Sequence, residues 1–184
     1  MLRDRISVDA WRILQAIEGE LSQFDILPDE PSAGVTELLD RLVASFAAFV
    51  GLSTDSMTRG QAWRFLDMGH RVERAGTVAR LLRDTLVDAP PDDATMLEAV
   101  LEIADSSLTY RRRYLTHLES HAIVDLLLCD DTNPRSVAYQ LAAIDQHLAA
   151  LPRESPHPHD QPDRQLLLKL RTNIQLVDIQ HACV

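Results

Sequence analysis

The segment from Met57 to Leu86 contains no proline and carries apolar or small residues on almost every side of a helix. Trp63, Phe65, Leu66, Met68, Val72, Ala75, Val78, Ala79, Leu81, Leu82 and Leu86 cannot share one narrow stripe at about 100° per residue. A helix apolar nearly all round belongs at the centre of a bundle. Yet the same segment holds Arg59, Arg64, Arg71, Arg74, Arg80 and Arg83 against Asp67, Glu73 and Asp84. Buried charge must be paired, since losing one partner costs about 3–5 kcal/mol. The segment therefore predicts a central helix held by interhelical ion pairs.

Composition sets the frame for that helix. A chain of 184 residues that is 46% hydrophobic can bury a core as one globular domain. With 5% aromatic residues, that core must come mainly from Leu, Ala, Val and Ile. The net charge of −10 argues against nucleic acid and anionic membrane as partners. Every basic residue except Lys169 is arginine, the better side chain for planar pairing with carboxylates and phosphates. No apolar run approaches the roughly 20 residues of a membrane span, and Met1 to Ile6 lack an apolar signal core. The expectation is a cytoplasmic protein. Cys129 and Cys183 do not make a disulfide framework in a chain this long.

Helical periodicity and breaks divide the chain. Ser7 suits an N-cap for a first helix to about Phe24, ended by Leu27-Pro28-Asp29-Glu30-Pro31-Ser32. A second helix after Gly34 places Val35, Leu38, Leu39, Leu42, Val43, Phe46 and Val50 on its inner face, with a turn at Gly51 to Ser56. After the central helix, Ala89-Pro90-Pro91-Asp92-Asp93 begins a fourth through Leu97, Val100, Leu101, Ala104 and Leu108 and onward towards Tyr114. Ser120 to Leu128 reads as a short apolar helix, with a strand as runner-up. Asn133 as N-cap and Pro134 at the first position start the next helix, which ends before Pro152. The prediction is an all-α fold, an irregular single-domain bundle of six to seven helices. It comprises a bundle over 1–151, a polar Pro/His-rich loop over 152–163 and a C-terminal helix within 164–184.

On the central helix Glu73 shares a face with Ala62, Leu66, Gly69, Gly76 and Arg80, and the two glycines predict close approach by another helix. Arg74 faces elsewhere, near His70, Thr77 and Asp67. In the structural reading, Glu73, Arg80, Arg74 and Asp67 are brackets that fix bundle register. In the functional reading, Arg71, Arg74, Arg111, Arg112 and Arg135 build an internal anion or carboxylate site.

The ordered series Arg59-Gly60, Trp63-Arg64-Phe65-Leu66, Gly69, Arg71-Val72-Glu73-Arg74-Ala75 and Ala79-Arg80-Leu81-Leu82 resembles the bacterial alpha-E domain, a helical family named for its Glu-Arg motif. Tyr110-Arg111-Arg112-Arg113-Tyr114, Asp125 to Leu128 and Asn133-Pro134-Arg135-Ser136 with Gln140-Leu141 follow the family in order and spacing. The likeness covers about residues 1–151. Family members usually carry an earlier Glu-Arg helix, so this chain resembles a C-terminal portion, and a site shared between both motifs would be incomplete. His70 stands where the family more often has Arg. The resemblance implies association with ATP-grasp-type ligases and transglutaminase-like proteins, hence an accessory or substrate-holding role in peptide or amide ligation.

Other chemistry finds little support in the sequence. Asp67-Met68-Gly69-His70 and Asp178-Ile179-Gln180-His181 share a D-x-x-H spacing, but Asp in place of the Glu of a dimetal bundle shortens the reach, and the second pair lies in the C-terminal tail. No Gly-flanked serine, activated cysteine or phosphate-binding glycine loop occurs. The expectation is a non-catalytic module without metal or cofactor. The alternatives are an enzyme or enzyme half using Glu73 as acid/base with arginines holding an anion, or a scaffold for homo-oligomerisation.

Overall fold

The computed structural model describes residues 6–24, 32–87, 93–114, 117–152 and 161–178. These residues form eight α-helices and two short π-helical turns, with no strand among them. The helices are α1 (Val8–Gln23), α2 (Ser32–Ser56), α3 (Gln61–Leu82), α4 (Ala94–Ile103), α5 (Ser107–Tyr114), α6 (Ser120–Val124), α7 (Val137–Ala149) and α8 (Pro162–Gln175); the π turns are Arg83–Val87 and Asp125–Cys129. The all-α expectation holds. The count exceeds seven because the expected fourth helix is two. Contacts cluster into two compact units, residues 1–63 and 64–184.

In the first unit Ser7 caps α1 as the sequence predicts, its Oγ accepting the Ala10 N–H at 3.1 Å. Ile17, Leu38 and Leu42 form a small core with Ile13 and Phe24 packed beside it. Arg41 joins the two helices by donating to Glu20 at 3.3 Å. α2 continues through the turn expected at 51–56. Gly51 costs helix propensity but does not break the ladder, and the actual turn falls at 57–60, where the Gly60 N–H meets the Thr58 carbonyl at 2.7 Å. The expected inner face is also corrected. Leu38 and Leu42 are buried, as is Phe49, whereas Leu39, Val43, Phe46 and Val50 are exposed. The apolar arc of α2 is wider than the part buried among the described residues.

The second unit holds the main core. Leu97, Val100, Leu101, Tyr110, Ile123, Leu126 and Leu127 are almost fully buried at its centre. α3 contributes Met68, Ala75, Val78 and Leu82, a single stripe. The expectation of a helix buried all round is therefore wrong here, since Phe65 is 60% and Val72 is 55% exposed. Nor, among the described residues of this unit, does another helix approach the two glycines. A Cβ at Gly69 would meet nothing within 4 Å, and one at Gly76 would touch only the Arg80 side chain.

α4 starts at Asp93, whose carboxylate accepts the Thr95 N–H at 3.0 Å. It stops because Asp105 adopts φ 50°. The Ser106 N–H bonds the Leu101 carbonyl at 2.8 Å and the Asp105 N–H bonds the Glu102 carbonyl at 2.9 Å, the double closure of a Schellman motif with Asp in place of glycine. α5 then sets out separately. Its Tyr110 hydroxyl donates to the His117 carbonyl at 2.7 Å and accepts the Glu119 N–H at 3.1 Å.

Residues 120–129 are helical throughout, which removes the strand alternative; the Asp130 N–H to Asp125 carbonyl bond at 2.9 Å closes the π turn. The next helix begins three residues later than predicted. Ser136, not Asn133, is the cap, accepting the Tyr139 N–H at 3.0 Å. Asn133 is buried and makes a turn of its own, accepting the Arg135 N–H at 3.1 Å and donating to the Leu126 carbonyl at 3.0 Å. That displacement leaves Arg135 on a turn instead of within a helix. α8 has Pro162 at its start and ends at Gln175; residues 153–160 of the expected loop and 179–184, including Cys183 and His181, lie outside the described residues.

Leu127 is fully enclosed. Leu127→Ala should lower the unfolding free energy by about 2–5 kcal/mol, measured by urea denaturation at neutral pH. A loss below about 1 kcal/mol would mean this core is not where the chain's stability resides.

An arginine cluster between α3 and α7

α3 and α7 are tied by a polar bracket built on Asp67. Its Oδ2 accepts the Arg71 Nε–H at 2.7 Å and lies 2.5 Å from His147 Nε2. His147 Nδ1 lies 3.5 Å from Nη1 of Arg64, another α3 residue. Burial pushes the Asp67 carboxyl up, but the hydrogen bonds from Arg71 and His147 and the charges of both outweigh it and hold it below its ordinary value. Arg71 also donates to Gln140 Oε1 at 3.2 Å, and its guanidinium stands 5.7 Å from the Tyr139 ring centre.

Gln140 carries the bracket onward. It is buried, and its Nε2 donates to the Pro134 carbonyl, immediately before Arg135. Arg135 is paired with Asp105, the left-handed residue that ends α4. Arg71 and Arg135 therefore border one locality, and Arg74, one turn after Arg71, joins it. Burial and then the charges of Arg135 and Arg71 lower the Arg74 guanidinium below its ordinary value, while Asp105 raises it. Arg74 makes no hydrogen bond or ion pair among the described residues. Arg71 and Arg135 each form an ion pair with a carboxylate; Arg74 forms none among the described residues, although the charge of Asp105 acts on it.

The other sequence candidates are placed differently. Glu73 is exposed and makes no hydrogen bond or ion pair among the described residues, so it brackets nothing within them. Arg80 is exposed and donates to Thr77 at 3.3 Å. Arg111 pairs with Glu98 at 3.7 Å on the surface, and Arg112 is exposed. Of the proposed brackets Asp67 alone links two helices among the described residues. His147, Gln140, Asp105 and Tyr139 were missed. The available signal was the polar pair Gln140 and His147, one heptad apart on the apolar side of α7.

Nearby chemistry is muted. A cleft of about 400 Å³ opens beside α7 and α8, lined among others by Asp125, Cys129, Asp131, Arg171, Ile174 and Val177. Burial and the Asp125 charge push the Cys129 thiol up, away from thiolate reactivity. Burial and the 2.6 Å hydrogen bond to Asp125 push Tyr114 up to about 12. Among the described residues no group of three or more His, Cys, Asp or Glu could hold a metal ion. No helix among them is long and apolar enough to cross a membrane.

Because the folded Asp67 carboxyl titrates below its ordinary value of 3.8, its contribution is complete above that pH and is lost as pH falls through the folded value. Asp67→Ala should cost about 1–2 kcal/mol at pH 7, a figure reduced for partial solvent screening. Thermal melts of both proteins should show that gap constant from neutral pH to about pH 5 and narrowing below about pH 4. A gap that widens on acidification would contradict the charge assignment.

The sequence matches the Alpha-E family, described as a predicted alpha-helical domain with a conserved ER motif, over residues 1–183. Glu73-Arg74 is the chain's single Glu-Arg dipeptide and so the one place that motif can fall. Uncharacterised proteins of Mycobacterium bovis and Mycobacterium tuberculosis are 31% identical to it over 159 residues, 84% of this chain. The chain spans 18% of the length of these relatives. No solved structure matches it. On the family match along its whole length, this chain belongs to the Alpha-E family of helical domains.

Proposed function

We propose that the chain is a non-catalytic helical module that serves an ATP-grasp-type peptide or amide ligase by holding its substrate. The observation that carries this reading is the arginine cluster, in which Arg74 forms no ion pair among the described residues beside two arginines that form one each. Fixed cations of this kind bind and orient an anion; they do not by themselves break or form a bond. Supporting it, Glu73 lies exposed on its own face of α3. The thiol of Cys129 is suppressed. Nucleotide binding and activation chemistry are then the ligase's part, and this chain raises the local concentration and orientation of one reactant.

The test is a reconstituted ligation assay with an ATP-grasp-type ligase from the same organism, measuring ADP release and amide product with and without the chain. The chain alone should turn over nothing. Added in equimolar amount, it should raise the rate at sub-saturating acceptor and lower the acceptor KM, with kcat little changed, as expected for added ground-state binding. Arg74→Gln should remove that effect. Turnover by the isolated chain that disappears in Glu73→Gln would overturn this reading in favour of an enzyme.

A further inference from the structure

We infer that the cleft bounded by α7, α8 and the π turn Asp125–Cys129 is a binding site for a small organic cation, an alkylammonium or guanidinium group carried on an apolar body. Its volume of about 400 Å³ is that of a small-molecule site. The lining is of two kinds. Ala138, Ala142, Ile174 and Val177 offer apolar surface, and Asp125 and Asp131 bring carboxylates to the same space.

Those carboxylates are open to a ligand. Asp131 is exposed and makes no hydrogen bond or ion pair among the described residues. Asp125 accepts the Tyr114 hydroxyl at 2.6 Å and is paired with no cation among the described residues. One neutral hydroxyl leaves most of the acceptor capacity of a carboxylate unused. Arg171 is the one cation among the described lining residues, and Asp145 holds it at 2.6 Å, with Arg164 3.8 Å from the same carboxylate. Taken together with these paired neighbours, the lining carries one net negative charge at neutral pH. An anion would have to compete with Asp145 for Arg171 while meeting two further carboxylates. A monocation meets both and displaces nothing.

The walls are joined before any ligand arrives. Asp125 and Cys129 are the first and last residues of the π turn, which the Asp130 N–H closes on the Asp125 carbonyl at 2.9 Å. Turns of this kind occur frequently at functional sites. Cys129 Sγ lies 3.8 Å from the Ile174 carbonyl oxygen, tying the turn to α8, and the Arg171–Asp145 pair ties α8 to α7. Burial and the Asp125 charge keep the Cys129 thiol protonated, a neutral neighbour for the apolar body of a ligand.

This site is separate from the arginine cluster and from the holding-module reading, so its test needs no ligase. The probe is n-hexylamine, titrated into the full chain at pH 7 and low salt and followed by amide NMR shifts. 1-Hexanol and hexanoate, which share its body, serve as comparisons. Hexylamine should saturate, with its shifts gathered in residues 125–131 and 171–177. Hexanol should bind about tenfold more weakly, and hexanoate more weakly still. Asp131→Asn should weaken hexylamine binding about threefold, as expected for a partly exposed ion pair, and Asp163→Asn, at an exposed acid of α8 outside the lining, should leave it unchanged. Ala142→Leu should fill the cleft and abolish saturation. Folding of each variant is checked by its amide spectrum, and if Ala142→Leu disturbs the fold, Asp131→Asn, at an exposed side chain, decides. Absence of saturation, hexanol or hexanoate binding as tightly as the amine, or an equal loss in Asp163→Asn would overturn the site.

Discussion

The arrangement of the second unit depends on how one carboxylate is shared. Asp67 on α3 accepts from Arg71 on its own helix and from His147 on α7, and it sits partly out of water. A carboxylate in that position is tolerable only with its partners in place, so the bracket specifies one register of α3 against α7. Everything at the cluster follows from that register. Arg71 is turned towards Gln140, Gln140 holds the Pro134 carbonyl, and Arg135 is brought to the locality of Arg74. The apolar core supplies the bulk of the driving force, but apolar packing alone would not fix which arginine meets which acid.

Much of the fold was legible. The Ser7 cap and the helical periods of α1, α4, α6 and α7 come from local chemistry, which a sequence states directly. The errors arose where tertiary contacts choose between two local signals. Asn133-Pro134 is a strong helix start by itself, yet burial of Asn133 against the Leu126 carbonyl made it a turn and passed the cap to Ser136. The end of α4 was missed because its left-handed residue is Asp105, where glycine would have announced it. Gly51 gave the opposite false signal, since α2 runs through it.

The candidate site was half legible. Arg71, Arg74 and Arg135 were named from residue type, but the same reasoning included Arg111, Arg112 and Arg80, which spend their charge elsewhere or on the surface. Charge content does not say which cations already have partners; that depends on Asp67, Asp105, Gln140 and His147, whose contacts span up to 83 residues of sequence. The Glu-Arg dipeptide likewise turns out to be two residues with separate surroundings. Glu73 shares its exposed face with Gly69 and Gly76, and Arg74 belongs to the arginine cluster.

The central claim is that Arg71 is structural while Arg74, one turn away, is held in reserve. Thermal unfolding of Arg71→Gln and Arg74→Gln at neutral pH and low salt tests this most directly. Arg71→Gln should lower Tm, because it strips Asp67 and Gln140 of a donor. Arg74→Gln should leave Tm unchanged or raise it, because it removes a cation crowded by two others. A loss of stability in Arg74→Gln as large as that in Arg71→Gln would show that Arg74 is part of the bracket, and the account would fail.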